Sequence, residues 1–171
     1  FGKKVNIAFI CSANLCRSQM AHAICLARCA ELSLPINVFS AGLLDYTGQY
    51  LVENAWLVCC KNGTPPAKST STFIRDLPIA QMDRFLVMEH RHQAILQEDY
   101  RMAPGIIGLL GAYDVNNKDH EIKDPIGRAP IEFEKCYSRL SLCVNNMLAE
   151  YQRRHPDKAM LRVATRIMPQ S

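Results

Sequence analysis

The sequence predicts an α/β fold, a four-stranded parallel sheet with helices on both faces. Two observations carry this. Short apolar runs alternate with longer segments whose apolar residues recur at helical spacing, the pattern of successive strand–helix–strand units. The first run, Val5-Asn6-Ile7-Ala8-Phe9-Ile10, is nearly continuous instead of alternating, as expected of a parallel strand covered on both sides. Sheets of this kind wind right-handedly and bind ligands beyond the carboxyl ends of their strands.

Each element has its own justification. After the strand Val5–Ile10, residues Ser18–Glu31 read as a helix with Met20, Ile24, Ala27 and Leu32 near one face. Ile36–Phe39 is a second strand, ending at Ser40-Ala41-Gly42. Gln49–Cys60 is read as a helix stopped by Asn62-Gly63 and Pro65-Pro66. Phe85–Met88 and Ile106–Leu110 are two further strands, with a helix near Arg91–Gln97 between them. A last helix runs from about Pro130 to Arg153, with Phe133, Leu140, Val144 and Leu148 as core positions. The domain is expected to span 1–154. Residues 155–171 form a basic tail or a short extra helix, with Lys158, Arg162 and Arg166 at four-residue spacing.

Directly after the first strand the chain reads C-S-A-N-L-C-R-S, residues 11 to 18. A cysteine, five residues and an arginine between a strand and a helix describe an anion cradle with a nucleophile at its centre. The amides of Ser12, Ala13, Asn14, Leu15 and Cys16 can turn inward, and the helix adds its positive N-terminal end. Arg17 contributes a planar fork that matches two phosphate oxygens. These features favour a thiolate at Cys11. Ser18 can donate to it and can also cap the helix. Asn14 tolerates the left-handed backbone of a tight loop. A buried structural cysteine is the plain alternative, but Asn14 and Arg17 do not belong in an apolar interior.

These residues give the chain a resemblance to the low-molecular-weight protein tyrosine phosphatases, whose loop reads roughly C-x-G-N-x-C-R-S-P. Ser40-Ala41-Gly42, Met88-Glu89 and Asp124-Pro125 follow in the family's order. The resemblance implies phosphotyrosine hydrolysis through a phosphocysteine, with Cys11 as nucleophile, Arg17 as phosphate fork and Asp124 as general acid. It implies no metal and no cofactor. Ser40 matches the family's loop-supporting serine, Tyr46 its aromatic wall, and Ile126 stands where many relatives carry a second aromatic. It also implies a reversible disulfide between Cys11 and Cys16. Ala13 replaces a glycine, Gln19 a proline, Lys68 lies near a common histidine, and Glu89 replaces an aspartate.

An acid from outside the loop is needed on chemical grounds, because Arg17 stays protonated and Ser18 is too weak. Asp124 precedes a proline in the polar stretch Tyr113–Arg128, long enough to reach over the cradle. A turn aspartate is the plain alternative. Asp114, Asp119 and Glu121 read as solvated loop charges, and His90 and His92 as surface positions of a helix start.

Composition narrows the rest. The net charge of +4 suits an acidic ligand but is no sign of nucleic-acid binding. Eight cysteines in 171 residues are too few for a disulfide scaffold; Cys25 and Cys29 share a helix, Cys59 and Cys60 are adjacent, and Cys136 and Cys143 read as core. No apolar run approaches the roughly 18 residues that span a bilayer, so no stable membrane association is expected. The start of the chain does not read as a secretory signal, and a cytoplasmic monomer or weak dimer acting on phosphotyrosine-containing proteins is expected. Within the same fold, an arsenate reductase would need a cysteine pair that Arg84–Leu96 lacks, and arginine phosphatases typically carry threonine where Leu15 stands. A catalytically weak module that captures phosphopeptides is the alternative from another class, motivated by Ala13 and Gln19.

Overall fold

In the computed structural model, which describes residues 3–157, four parallel strands stand in the order β2-β1-β3-β4. They are β1 (Val5–Cys11), β2 (Ile36–Gly42), β3 (Arg84–Val87) and β4 (Ile107–Leu109). The helices are α1 (Arg17–Leu32), α2 (Glu53–Lys61), α3 (His90–Glu98) and α4 (Pro130–Arg154). Alternation along β1 divides the core. Ile7, Phe9 and Cys11 face α1, α2 and α4, whereas Ala8 and Ile10 pack with Phe85, Val87, Ile74 and Leu96 on the α3 side. Helices therefore cover both faces, and burial on both sides explains the unbroken apolar run of β1.

The parallel register pairs Cys11 with Gly42 across β1 and β2, so the two strands end together at one edge of the sheet. Gly42 is required there. A Cβ on it would lie 2.6 Å from the Ala13 carbonyl carbon and 2.9 Å from the Asn14 nitrogen. The loop after β1 thus folds directly onto the end of β2.

Two expectations need correction. The helix read over Gln49–Cys60 begins four residues later, at Glu53. Gln49, Tyr50 and Leu51 instead pair antiparallel with 69–71, with Leu51 N–H donating to Ser69 O at 2.9 Å and Ser71 N–H to Gln49 O at 2.8 Å. Ladder bonds take the backbone groups a helix would use. The cap of α1 is Cys16, and Ser18 lies inside the first turn. No described helix is long and apolar enough to cross a membrane. The tail expectation lies outside the described residues from 158 onward.

Candidate active site

Asn14 is the hub of the loop. It is fully buried, with the left-handed φ of 56° that the sequence predicts. Its backbone N–H donates to Cys11 Sγ at 3.3 Å, and its side-chain Nδ2 donates to Ser18 Oγ at 2.7 Å. Ser18 Oγ accepts that bond and so keeps its own proton for Cys11 Sγ, 2.9 Å away. Two donors therefore converge on the sulfur and favour an anion at that place.

Outer contacts hold the loop in this form. Lys68 Nζ donates to Asn14 Oδ1 at 2.8 Å, Ser40 O at 2.9 Å and Thr72 Oγ1 at 2.7 Å, using all three ammonium protons. Burial pushes this ammonium down to about 8, against a raising effect of Cys11. The amide of Gln19, where relatives carry proline, donates to Asn14 O at 2.9 Å and Thr70 O at 3.1 Å. Ser71 Oγ donates to Ala13 O at 2.6 Å, and Leu15 O accepts from Val52 N–H at 3.0 Å. Ser40 Oγ pairs with His22 Nδ1 at 2.9 Å. The departures at Gln19 and Lys68 thus fill supporting positions with hydrogen-bond donors.

Arg17, only 1% exposed, begins α1 with its guanidinium at the centre of a polar cluster. Nη1 pairs with Glu89 and donates to Ile122 O at 2.8 Å; Nη2 lies 3.5 Å from Asp124 Oδ2. Burial opposes its charge, but Cys11, Glu89 and Asp124 outweigh burial and raise it above the ordinary arginine value. Hydrogen bonds from Arg91 and then Arg17 hold the Glu89 carboxylate down to about 2. Arg17 is therefore charged and anchored on one side, while the Asp124 side is only loosely engaged.

Asp124 is carried by a long segment tied down at several points. Ile122 N–H donates to Met88 O at 2.9 Å, His90 N–H donates to Glu121 Oε1 at 2.9 Å, and Arg139 of α4 donates to the Glu121 and Asp119 carbonyls. Gly111 touches His120 so closely that no Cβ fits between them. The Asp124 side chain is 38% exposed, with Oδ1 accepting from Ile126 N–H at 3.1 Å. Ile126 stands exposed at this rim. Across the opening, Leu43 and Leu44 donate their N–H groups to Cys11 O at 3.1 Å and Ser12 O at 2.8 Å, and the turn continues to half-buried Tyr46. An entrance cavity of about 330 Å³ is lined by Glu89, Arg91, Glu121, Lys123, Asp124 and Arg128. A larger cavity of about 530 Å³ lies between β4 and α4 and shares no residue with this region.

The structure corrects three sequence readings here. His92 is not a surface residue but fully buried against Ser12. Asp114 is not free in solvent; its side chain is 13% exposed and lies 3.6 Å from Arg139. Glu121 is half-buried, its carboxylate accepting from His90 N–H, whereas Asp119 is exposed as read, with Oδ1 accepting from Glu121 N–H. Cys11 and Cys16 are free thiols, and burial, then Cys136 and Cys11, pushes Cys16 well above the usual thiol range. Cys136 and Cys143 pack in the core as read, and Cys25 is buried with them.

Fold and loop together define an α/β protein with an anion cradle at the end of its inner strand β1. The chain belongs to the low molecular weight phosphotyrosine protein phosphatase family, whose model matches residues 6–157. Membership makes it a protein-tyrosine phosphatase, a hydrolase. It is 27% identical over 138 residues to the low molecular weight protein-tyrosine-phosphatase PtpB of Staphylococcus epidermidis, covering 80% of this chain and 91% of that protein. In fold it matches a low molecular weight phosphotyrosine phosphatase of Vibrio cholerae O395 with a TM-score of 0.80 at 23% identity, covering 88% of this chain and 99% of the other. It also matches the YwlE arginine phosphatase of Geobacillus stearothermophilus, TM-score 0.77 at 24% identity, covering 88% and 97%.

Proposed function

We propose that Cys11, Arg17 and Asp124 carry the phosphatase reaction on phosphotyrosine in protein substrates. The observation that supports this most directly is the convergence of Ser18 Oγ and Asn14 N–H on the Cys11 sulfur, beside a buried Arg17 that Asp124 approaches to 3.5 Å. The incoming phosphate takes the loosely held Nη2 side of Arg17 and the amides of the loop, of which Asn14 N–H already points at the Cys11 sulfur. Cys11 sulfur then attacks phosphorus in line. The bond from phosphorus to the tyrosyl oxygen breaks, and the Asp124 carboxyl proton passes to the leaving phenolate. Asp124, now a carboxylate, takes a proton from water, the water oxygen bonds phosphorus, and the electron pair of the P–S bond returns to sulfur. No step calls on a metal or cofactor, so turnover is expected to survive EDTA.

Leu15 supports phosphotyrosine over phosphoarginine as substrate, because its side chain offers no hydroxyl where arginine phosphatases typically carry threonine. Tyr46 and Ile126 form the two rims of the slot in this reading; the aliphatic Ile126 gives a looser grip on the ring than an aromatic. The adjacent Cys16 thiol serves as resolving partner. Hydrogen peroxide oxidises the Cys11 thiolate to a sulfenic acid with release of hydroxide, and the Cys16 sulfur then attacks it with loss of water to give a disulfide that thiol reduces. This regulation belongs to a reducing, cytoplasmic setting.

The experiment is steady-state hydrolysis of an aryl phosphate, a phosphotyrosine peptide and a phosphoarginine peptide. Cys11→Ser is expected to abolish turnover, and Asp124→Ala to slow it by about 10²–10⁴-fold. Phosphoarginine turned over faster than phosphotyrosine would overturn the substrate assignment. Peptide binding without turnover would replace the enzyme by a capture module. For the redox reading, peroxide-treated Cys16→Ser recovering with thiol as fully as wild type would refute the resolving role.

A further inference from the structure

The corner of the cradle built by Ser12, His92 and Arg91 holds its protons in one arrangement. The two ring nitrogens of buried His92 are both engaged: Nδ1 lies 3.2 Å from the Glu89 backbone nitrogen, and Nε2 lies 3.0 Å from Ser12 Oγ. A backbone N–H only donates, so Nδ1 is the bare acceptor. Burial, and then the positive charge of Arg17, pushes the His92 ring down to about 4, so it is neutral near pH 7. A neutral ring that is bare at Nδ1 carries its proton on Nε2, which therefore donates to Ser12 Oγ. Arg91 Nη2 donates to the same oxygen at 2.8 Å, since a guanidinium has no acceptor. Both lone pairs of Ser12 Oγ are thus filled. The hydroxyl proton cannot return to either partner and has one direction left.

We propose that the Ser12 hydroxyl is a fixed hydrogen-bond donor to the phosphoryl group in the cradle, aimed by His92 and Arg91. Ser12 would then touch the substrate, while His92 and Arg91 are positioning residues that act through it. Ser12 directly follows Cys11 in the chain, and its donor Arg91 lines the entrance cavity together with Glu89 and Asp124. A serine hydroxyl ordinarily rotates freely. Two fixed donors remove that freedom before substrate arrives, which is the preorganisation that makes a donor effective toward an anion. The role rests on the phosphatase reading above and deepens it, since sequence assigns Ser12 only a loop amide.

The test compares wild type, Ser12→Ala and Ser12→Thr in kcat/KM for p-nitrophenyl phosphate and in competitive inhibition by inorganic phosphate. Ser12→Ala is expected to lose about 10–100-fold in kcat/KM, with weaker phosphate inhibition, because a hydrogen bond to a charged group is lost. Ser12→Thr keeps the hydroxyl and is expected to recover most of both. An alanine variant equal to wild type, or a threonine variant as poor as alanine, overturns the proposal. Nitrogen-15 NMR of the histidine rings reads the arrangement without any turnover. A proton on Nε2 and a bare Nδ1 at His92 are expected, and the opposite tautomer overturns the assignment. Should wild type bind inorganic phosphate but hydrolyse nothing, the phosphatase reading fails alone, and weaker phosphate binding by Ser12→Ala would still uphold the hydroxyl.

Discussion

Arg17 shows how a single buried charge is kept usable. Glu89 and Ile122 O hold Nη1, so the fork is fixed in direction before a ligand enters. Glu89→Gln keeps the size but removes the charge that faces the guanidinium. It is expected to cost about 1–3 kcal/mol of stability, seen in the denaturation midpoint, and to lower kcat/KM by roughly tenfold or more. Lys68 yields a prediction in pH. Its ammonium protons satisfy three acceptors, and its value lies near 8. As pH rises through about 8, one donor disappears and the Asn14 hub loosens, so kcat/KM is expected to fall on that side. Lys68→Met should be less active throughout and lack this limb. At this scale a local motif and a reaction requirement pointed to Cys11, Asn14, Arg17, Ser18 and Asp124, and the structure gathers these residues at the end of β1. Sequence missed His92, which meets Ser12 only through an 80-residue separation. The one local signal was its position three residues after Glu89, where its ring reaches back to the start of α3.

Among the elements, the end of β2 bears directly on the cradle. Gly42→Ala would drive a methyl into the Ala13 and Asn14 backbone. Backbone cannot swing aside as a side chain can, so a loss of about 1–3 kcal/mol is expected, together with weaker inhibition by phosphate. An unchanged melting temperature with unchanged phosphate affinity would show that the loop yields freely. Strands and helices were legible where the pattern was clear, as in the unbroken apolar run of β1 and the helical period of α4. The start of α2 was not, because Gln49–Leu51 carry no apolar pattern that separates a helix from an edge pairing with 69–71. That pairing brings Thr70 and Ser71 to the loop, where they meet Gln19 and Ala13.

For the molecule as a whole, His22 and His92 link stability to acidity. Burial is the larger cause in each, followed by Lys68 for His22 and Arg17 for His92, and both rings sit near 4. Unfolded, each would titrate near 6.5. Between these values the unfolded chain binds more protons, so this stability is complete above about pH 6.5 and declines as pH falls toward 4. The two together are worth on the order of a few kcal/mol. Urea midpoints from pH 7 to 4.5 should fall, with a shallower slope in His92→Gln; a flat profile would contradict the buried neutral rings. Glu89 adds its own loss only at lower pH, from its ordinary range down to about 2. The sheet and its loop were legible from strand–helix alternation, whereas the buried histidines were not, since alternation does not report which polar residues lie inside.

The Asp124 segment depends on Arg139 of α4, the last helix of the described chain. Without α4 the Glu121 and Asp119 carbonyls lose their Arg139 donors, and the Asp124 segment is held through Met88 O and the His90 N–H. In the proposed reaction, a nascent chain would therefore gain its full acid geometry only once α4 has emerged and folded back, and until then it would be spared from acting on a phosphorylated neighbour.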